Sequence, residues 1–207
     1  MTLYLSIVGI AILAVSGINI VFFPEPFTYY NIWIVVVLLL CVLAEIAITA
    51  TFSFLVELLP ENWFHPKRKF FNISKKERRF YELMGIKIWK NAICELGMLV
   101  GHNKRKFEKP SDPLYIQTFI LEGNRAMVGH FLDAAFAFLI VILLPLKYFW
   151  RLTFPVAMIA AVLNILPAII IRYNLPKLQV ILKRAKRNEQ KIALTPTDNI
   201  VQSQKNA

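Results

Sequence analysis

Leu3 to Phe23 is a run of 21 residues without a single charged side chain. A helix needs about 20 consecutive apolar residues to cross the hydrocarbon of a bilayer, so this run alone sets aside most soluble folds. The pattern recurs: Ile32 to Leu59 is interrupted only by Glu45 and Glu57, and two further apolar stretches follow in the second half of the chain. Composition agrees. Of 207 residues 57% are hydrophobic and 18% charged, with mean hydropathy +0.54, whereas soluble domains carry about a quarter charged residues and disordered chains are poor in apolar ones. The expectation is an all-α integral membrane protein with four transmembrane helices, 3–23, 32–59, 113–145 and 152–171.

Local signals place the helix ends. The first run exits into Pro24-Glu25-Pro26; with no basic residue ahead of it and no small-x-small cleavage site, it reads as an uncleaved helix rather than a secretory signal. Ser111-Asp112-Pro113 offers an N-cap pair followed by proline at the first helical position, and nothing breaks that helix before Pro145. At 1.5 Å per residue it would be about 48 Å long, more than the ~30 Å of hydrocarbon, so its first turns are expected to project from the membrane. The organisation expected is a helical hairpin over 1–59, a basic, partly helical loop over 60–112, helices three and four within 113–174, and a basic tail over 175–207 that turns polar and disordered at its end. Cys41 and Cys94 are the only cysteines, and no disulfide framework is expected.

The net charge of +11 is concentrated rather than spread. Residues 61–112 hold 13 Lys/Arg against 6 acids, and the tail from Arg172 holds 8 against 2. The 24–30 turn has no Lys or Arg, and the 147–151 link has 2. Basic loops stay cytoplasmic, which predicts both termini inside, in a bacterial-type cytoplasmic membrane. Trp63, Phe64, Phe70, Phe71, Phe80, Tyr81 and Trp89 are interleaved with the cations. That mixture suits an anionic headgroup surface, at about 1 kcal/mol per nearby Lys or Arg, better than a nucleic acid. His65 and His102 fall in this basic segment and read as interfacial.

Ionisable groups inside a membrane are costly, and their default reading is functional. On the third helix Glu122, Arg125, His130 and Asp133 fall within an arc of about 140° at 100° per residue. On the second, Glu45, Thr49, Ser53 and Glu57 form a ladder at i+4 spacing that can face the same cavity. Arg172, Tyr173 and Asn174 return to that mouth at the end of helix four. His130 is the only histidine in a predicted span, and a neutral imidazole can take and return a proton near neutral pH. Glu122 or Asp133 could orient it, while Glu122 and Arg125 at i,i+3 could equally form a structural ion pair. Three scattered histidines give no metal-ligand spacing, and no Gly-x-Ser-x-Gly elbow, phosphate loop or His-x-x-x-x-Asp box is present.

One ordered series of residues adds to this reading. Gly85-Ile86-Lys87-Ile88-Trp89-Lys90-Asn91, then Glu95 and Gly97, then Phe119-Ile120-Leu121-Glu122 with Arg125-Ala126 and His130, then Asn164-Ile165-Leu166-Pro167 and Arg172-Tyr173-Asn174, resembles the glycosyl-diaponeurosporenoate acyltransferase family, small membrane enzymes of staphyloxanthin-type carotenoid biosynthesis. The resemblance covers about residues 80 to 187. It implies transfer of a fatty acyl group to a sugar hydroxyl of a membrane glycolipid, and carries over Trp89, Lys90, Glu95, Asn164, Arg172, Tyr173 and Asn174 as substrate-binding positions, to which Glu57 is added from the ladder. Departures are Asn91 for Asp, Cys94 for Pro, Gly123 for Thr, Met127 for a second Glu, Phe131 for Trp and Ile171 for Gln.

The expected chemistry has His130 as general base, Glu122 or Asp133 holding the imidazole, and Arg125, Asn164 or Arg172 stabilising the developing oxyanion. No bound cofactor is expected; the acyl donor would be acyl-CoA or acyl carrier protein, held by charge, with membrane lipid as the other partner and homo-oligomerisation left open. Two other classes fit the composition: a non-catalytic lipid-binding or partner subunit, and a small ion- or proton-coupled transporter lined by Glu45 and its ladder.

Overall fold

The computed structural model describes residues 2–22, 30–90, 93, 109–143, 145 and 148–194, and among them every regular element is a helix or helical turn. Helix α1 spans Thr2–Phe22 and α2 Tyr30–Glu57. Two 3-10 turns, Glu61–Phe64 and Lys69–Phe71, lead to α3, Lys75–Leu83, and the single turn α4, Ile86–Trp89. Helix α5 spans Pro113–Phe136 and tightens into a 3-10 segment, Ala137–Leu143. A π turn, Phe149–Thr153, precedes α6, Phe154–Leu194. Asn91, Cys94, Glu95, Gly97 and His102 lie outside the described residues.

Three helical segments are long and apolar enough to cross a membrane: Trp33–Glu57, Pro113–Ile142 and Phe149–Lys191. Within α1 the apolar stretch found among the described residues is the shorter Gly9–Asn19, so three of the four expected spans are found there at full length. Large apolar side chains along α2, among them Leu39, Leu40, Leu43 and Ile46, are exposed, an arrangement that lipid rather than water accommodates.

The helix starts follow their caps. Asp112 Oδ1 accepts the backbone N–H groups of Leu114 at 2.9 Å and Tyr115 at 3.1 Å, with Pro113 at the first position. Ser74 Oγ likewise accepts from Glu77 N at 3.1 Å. Helix α3 ends where Gly85 takes φ +71°, a left-handed conformation that only glycine adopts without steric cost; this reverses the chain into α4.

The largest departure from expectation is α6. A break after Asn174 was expected, yet the helix continues through Pro167 and Pro176 for 41 residues, about 60 Å at 1.5 Å per residue. The reason is packing. Leu175, Leu178, Leu182 and Ala185 keep a helical period beyond Asn174 and, with Ala168, share one core with Ile116, Ile120 and Met127 of α5. The turns of α5 expected to project from the membrane thus find a partner in the basic half of α6, where Lys186 Nζ also donates to Gln117 Oε1 at 3.2 Å. Deeper, α5 and α6 meet through Ala134, Ala137 and Ala161, small residues that let backbones approach where lipid supplies no hydrophobic drive.

At the far end of the bundle buried Asn19 of α1 donates from Nδ2 to the Arg151 carbonyl, 2.9 Å, and to Val15 O, 2.8 Å. The π turn frees carbonyls, and in an apolar setting each needs a donor. The C-terminal end of α1 therefore sits beside the start of α6, opposite the basic segment. Asn19→Leu is expected to lower stability by about 1–3 kcal/mol, the cost of an unsatisfied buried acceptor, read as a lower melting temperature in detergent; an unchanged value would remove this contact from the fold's support.

Candidate active site

The polar arc of α5 divides between its two neighbours. Towards α2, Arg125 Nη1 pairs with Glu57 Oε2 at 3.1 Å, and its guanidinium lies 5.1 Å from the Phe64 ring centroid. Asp133 Oδ2 accepts a long hydrogen bond from Ser53 Oγ at 3.5 Å, while Oδ1 is buried without a partner among the described residues. Glu45, deeper on α2, is buried, and among the described residues neither carboxylate oxygen has a partner. Ladder residues Ser53 and Glu57 thus meet α5. The i,i+3 pairing considered for Glu122 and Arg125 is replaced by Glu57, because Arg125 faces α2; Glu122 is half-buried without a hydrogen bond among the described residues.

Towards α6, His130 Nδ1 lies 3.3 Å from Asn164 Oδ1. The amide is oriented by its own helix: Asn164 Nδ2 donates to Ala160 O at 3.1 Å, leaving Oδ1 as the acceptor. Neutral imidazole has one N–H and one lone pair, so Nδ1 carries the proton and Nε2 is the basic nitrogen. The group found on Nδ1 is Asn164, and Asp133 Oδ2 is turned to Ser53. The oxyanion role expected of Asn164 would fall to its Nδ2, which gives one hydrogen bond to Ala160 O.

Residues 61–71 form a strap across this region. Fully buried Asn124 donates from Nδ2 to Phe64 O at 2.8 Å. The Phe70 ring meets Phe131, beside His130, edge-on at 6.5 Å. Arg172 of α6 ties the strap down: Nη1 donates to Phe70 O at 2.7 Å, the guanidinium stacks 5.1 Å from the Phe70 centroid, and Nε and Nη2 pair with the two carboxylate oxygens of Glu77. Arg172 is thereby committed to the strap rather than free for an oxyanion. Tyr81 Oη completes the group, donating to Glu77 Oε1 at 2.7 Å.

Burial alone would push the Glu77 carboxyl up, but hydrogen bonds from Arg172 and Tyr81 and the Arg172 charge outweigh it and hold the group below its ordinary value of 4.5. Burial and the adjacent carboxylate push Tyr81 up to about 12, so it remains a donor. A carboxylate whose pKa is lowered in the folded state binds protons more readily when unfolded. Its contribution is complete above about pH 4.5 and is lost as pH falls through the lowered folded value. The melting temperature is therefore expected to decline below about pH 4.5, and less steeply in Glu77→Gln; parallel curves would refute the assignment.

On the other side of α6, buried Tyr173 donates from Oη to Glu82 Oε1 at 3.2 Å and packs with Tyr81, Ile86, Ile169 and Trp89. Trp89 Nε1 donates to Met84 O at 3.0 Å, a contact that closes the α3–α4 turn. Lys90 lies beside the Tyr173 ring. Asn174 is half-buried without a hydrogen bond among the described residues.

Towards α6 stand His130 and Asn164, and towards α2 Arg125 with Glu57 and Asp133 with Ser53; Arg172 holds the strap, while Trp89, Lys90 and Tyr173 gather across α6. Sequence reasoning missed Asn124, Phe64, Phe70 and Glu77. Ser74-x-x-Glu77 reads as a capping box, which accounts for Glu77 before its tertiary partner is considered. Asn124 carried a signal that could have found it, an amide beside Glu122 and Arg125 in a helix of spanning length.

A family model for glycosyl-4,4'-diaponeurosporenoate acyltransferase matches residues 60–184, a stretch that holds the strap, α3, α4, α5 and most of α6. No curated protein and no solved structure matches the chain.

Proposed function

Because the chain belongs to the glycosyl-4,4'-diaponeurosporenoate acyltransferase family, we propose that it moves a fatty acyl group to a hydroxyl of a glycolipid or related lipid at the inner leaflet. The observation that carries the reading is the His130–Asn164 contact at 3.3 Å: with Nδ1–H facing the amide oxygen, the lone pair of a neutral ring lies on Nε2. Nε2 removes the acceptor's hydroxyl proton as that oxygen bonds to the acyl carbonyl carbon. The bond from carbonyl to leaving group then breaks, and the imidazolium returns the proton to the group that departs. Arg125, whose Nε–H is buried without an acceptor among the described residues, supplies positive charge to the developing oxyanion.

The inner-leaflet placement rests on the basic segments at 61–112 and beyond Arg172 and on the positive-inside rule. Contact between Asn19 and Arg151 supports an N-in, C-in arrangement, since it sets the end of α1 away from the basic segment. Exposed Trp63, Phe70 and Phe80 among the cations suit the headgroup layer.

The test is expression in a bacterial host that makes glycolipids, followed by mass spectrometry of extracted lipids. A species heavier by one acyl group, present with the protein and absent with the empty vector, is expected. Identical lipid profiles would overturn the reading. One observation favours a second reading, a proton-coupled path: among the described residues the buried Glu45 carboxylate has no hydrogen-bond partner and Asp133 has one only on Oδ2. Proton flux into liposomes that disappears in Glu45→Gln would select it.

A further inference from the structure

Tyr173 is ringed by cations drawn from three elements. Arg78 of α3, Lys90 just after α4 and Lys177 of α6 place their charged groups 5.8, 5.7 and 5.8 Å from its ring centroid. No two of these charges can be separated by more than about 12 Å, twice that radius, so they repel one another across little more than a Debye length. A fourth cation, Lys87, reaches Glu82 Oε1 at 3.4 Å. Glu82 is the carboxylate that answers the group: the same oxygen lies 3.6 Å from Arg78 Nε and accepts from Tyr173 Oη. Lys90 and Lys177 have no carboxylate partner among the described residues.

The ring cannot satisfy them. A cation–π contact at this distance contributes roughly 0.5–1 kcal/mol at exposed sites, and a ring face offers the ammonium N–H groups no lone pair. Tyr173 is itself held from behind by Tyr81, Ile86 and Ile169, which fixes the ring around which these surface cations gather. Four cations against one carboxylate leave a local excess that a multiply charged anion with several acceptor oxygens would neutralise.

We propose that this collar binds a phosphate group. The assignment deepens the acyl-transfer reading and rests on it only for what the phosphate is attached to. Tyr173 is nine residues beyond Asn164 on α6, about 14 Å along the axis, and at 100° per residue it faces the opposite side. A phosphate adjoining the transferred acyl bond could not occupy both positions. The molecule that joins them carries its phosphate on a long flexible tether, as the thioester of a phosphate-bearing carrier does. An anionic lipid headgroup offers the same phosphate chemistry from the membrane side.

The test uses the full chain purified in detergent. Coenzyme A is titrated calorimetrically into wild type and into Lys90→Ala/Lys177→Ala, and native mass spectrometry counts phosphatidylglycerol retained from nanodiscs of equal parts phosphatidylglycerol and phosphatidylcholine. Loss of two charge-assisted contacts is expected to weaken coenzyme A binding by about tenfold or more, and Lys90→Arg/Lys177→Arg to restore it, with melting temperatures unchanged. Unaltered coenzyme A binding with loss of retained phosphatidylglycerol assigns the phosphate to the lipid source. If neither probe distinguishes wild type from the alanine variant, the collar is no phosphate site. His130→Ala is expected to bind coenzyme A as wild type does; if that variant still transfers acyl groups, the catalytic reading fails while the collar stands.

Discussion

Replacing His130 by alanine is expected to lower acyl transfer by about 10²–10⁴-fold, the usual worth of a positioned general base, with little effect on the melting temperature. The ring is half-buried, and its contact with Asn164 is a long hydrogen bond of 3.3 Å. Asn164 acts through the ring and is a positioning residue; its variants separate chemistry from structure. Asn164→Leu removes the acceptor that selects the Nδ1–H tautomer and is expected to lower kcat with KM little changed. Asn164→Asp places a carboxylate against the ring, which favours the imidazolium. The base must be neutral, so the acidic limb of the pH–rate profile should move to higher pH. An Asn164→Asp profile superimposable on wild type would deny Asn164 its orienting role, and a His130→Ala enzyme of normal rate would remove His130 from the mechanism.

Arg172→Met carries the largest expected effect on stability. It takes the guanidinium from the Phe70 carbonyl, the Phe70 ring and both oxygens of Glu77, and it leaves that carboxylate three-quarters buried without its cation. Breaking a fully buried pair from one side costs about 3–5 kcal/mol. Glu77 is 25% and Arg172 13% exposed, so solvent screening reduces the expectation to about 2–3 kcal/mol. The double variant Glu77→Gln/Arg172→Met is expected to recover part of this, since it leaves no orphaned charge. Limited trypsin digestion gives a second readout, because release of the strap exposes Lys67-Arg68-Lys69. Unchanged melting and digestion in Arg172→Met would mean that the strap is held by Asn124 and apolar packing alone.

Both experiments turn on residues that the sequence singles out. His130 stands out as a lone histidine in an apolar helix and as the candidate base. Glu122 and Asp133 on its own helix are the partners that the sequence offers, whereas Asn164 meets it only through the rotation of α5 against α6. Arg172 was assigned to substrate, yet it spans 95 residues to Glu77, a pairing that no local spacing reveals. The end of α6 was misplaced for a related reason. The charge pattern after Arg172 marks a tail, while the period of Leu175, Leu178 and Leu182 marks a helix; the choice depends on whether α5 offers them a surface.

The apolar runs, their approximate ends and the concentration of cations follow from the sequence by itself, since hydropathy, capping residues and charge act over a few turns and need no partner. The acyltransferase family was legible as well, as an ordered series along the second half of the chain. Tertiary structure alone decided that the α5 arc divides between α2 and α6, that Asn164 Oδ1 faces Nδ1 of His130, that residues 61–71 lie over the site, and that Arg78 and Lys87 share Glu82 while Lys90 and Lys177 flank the same Tyr173 ring. Each is a contact between residues far apart in the chain, set by helix rotation and crossing, and side-chain packing rather than local preference selects those angles.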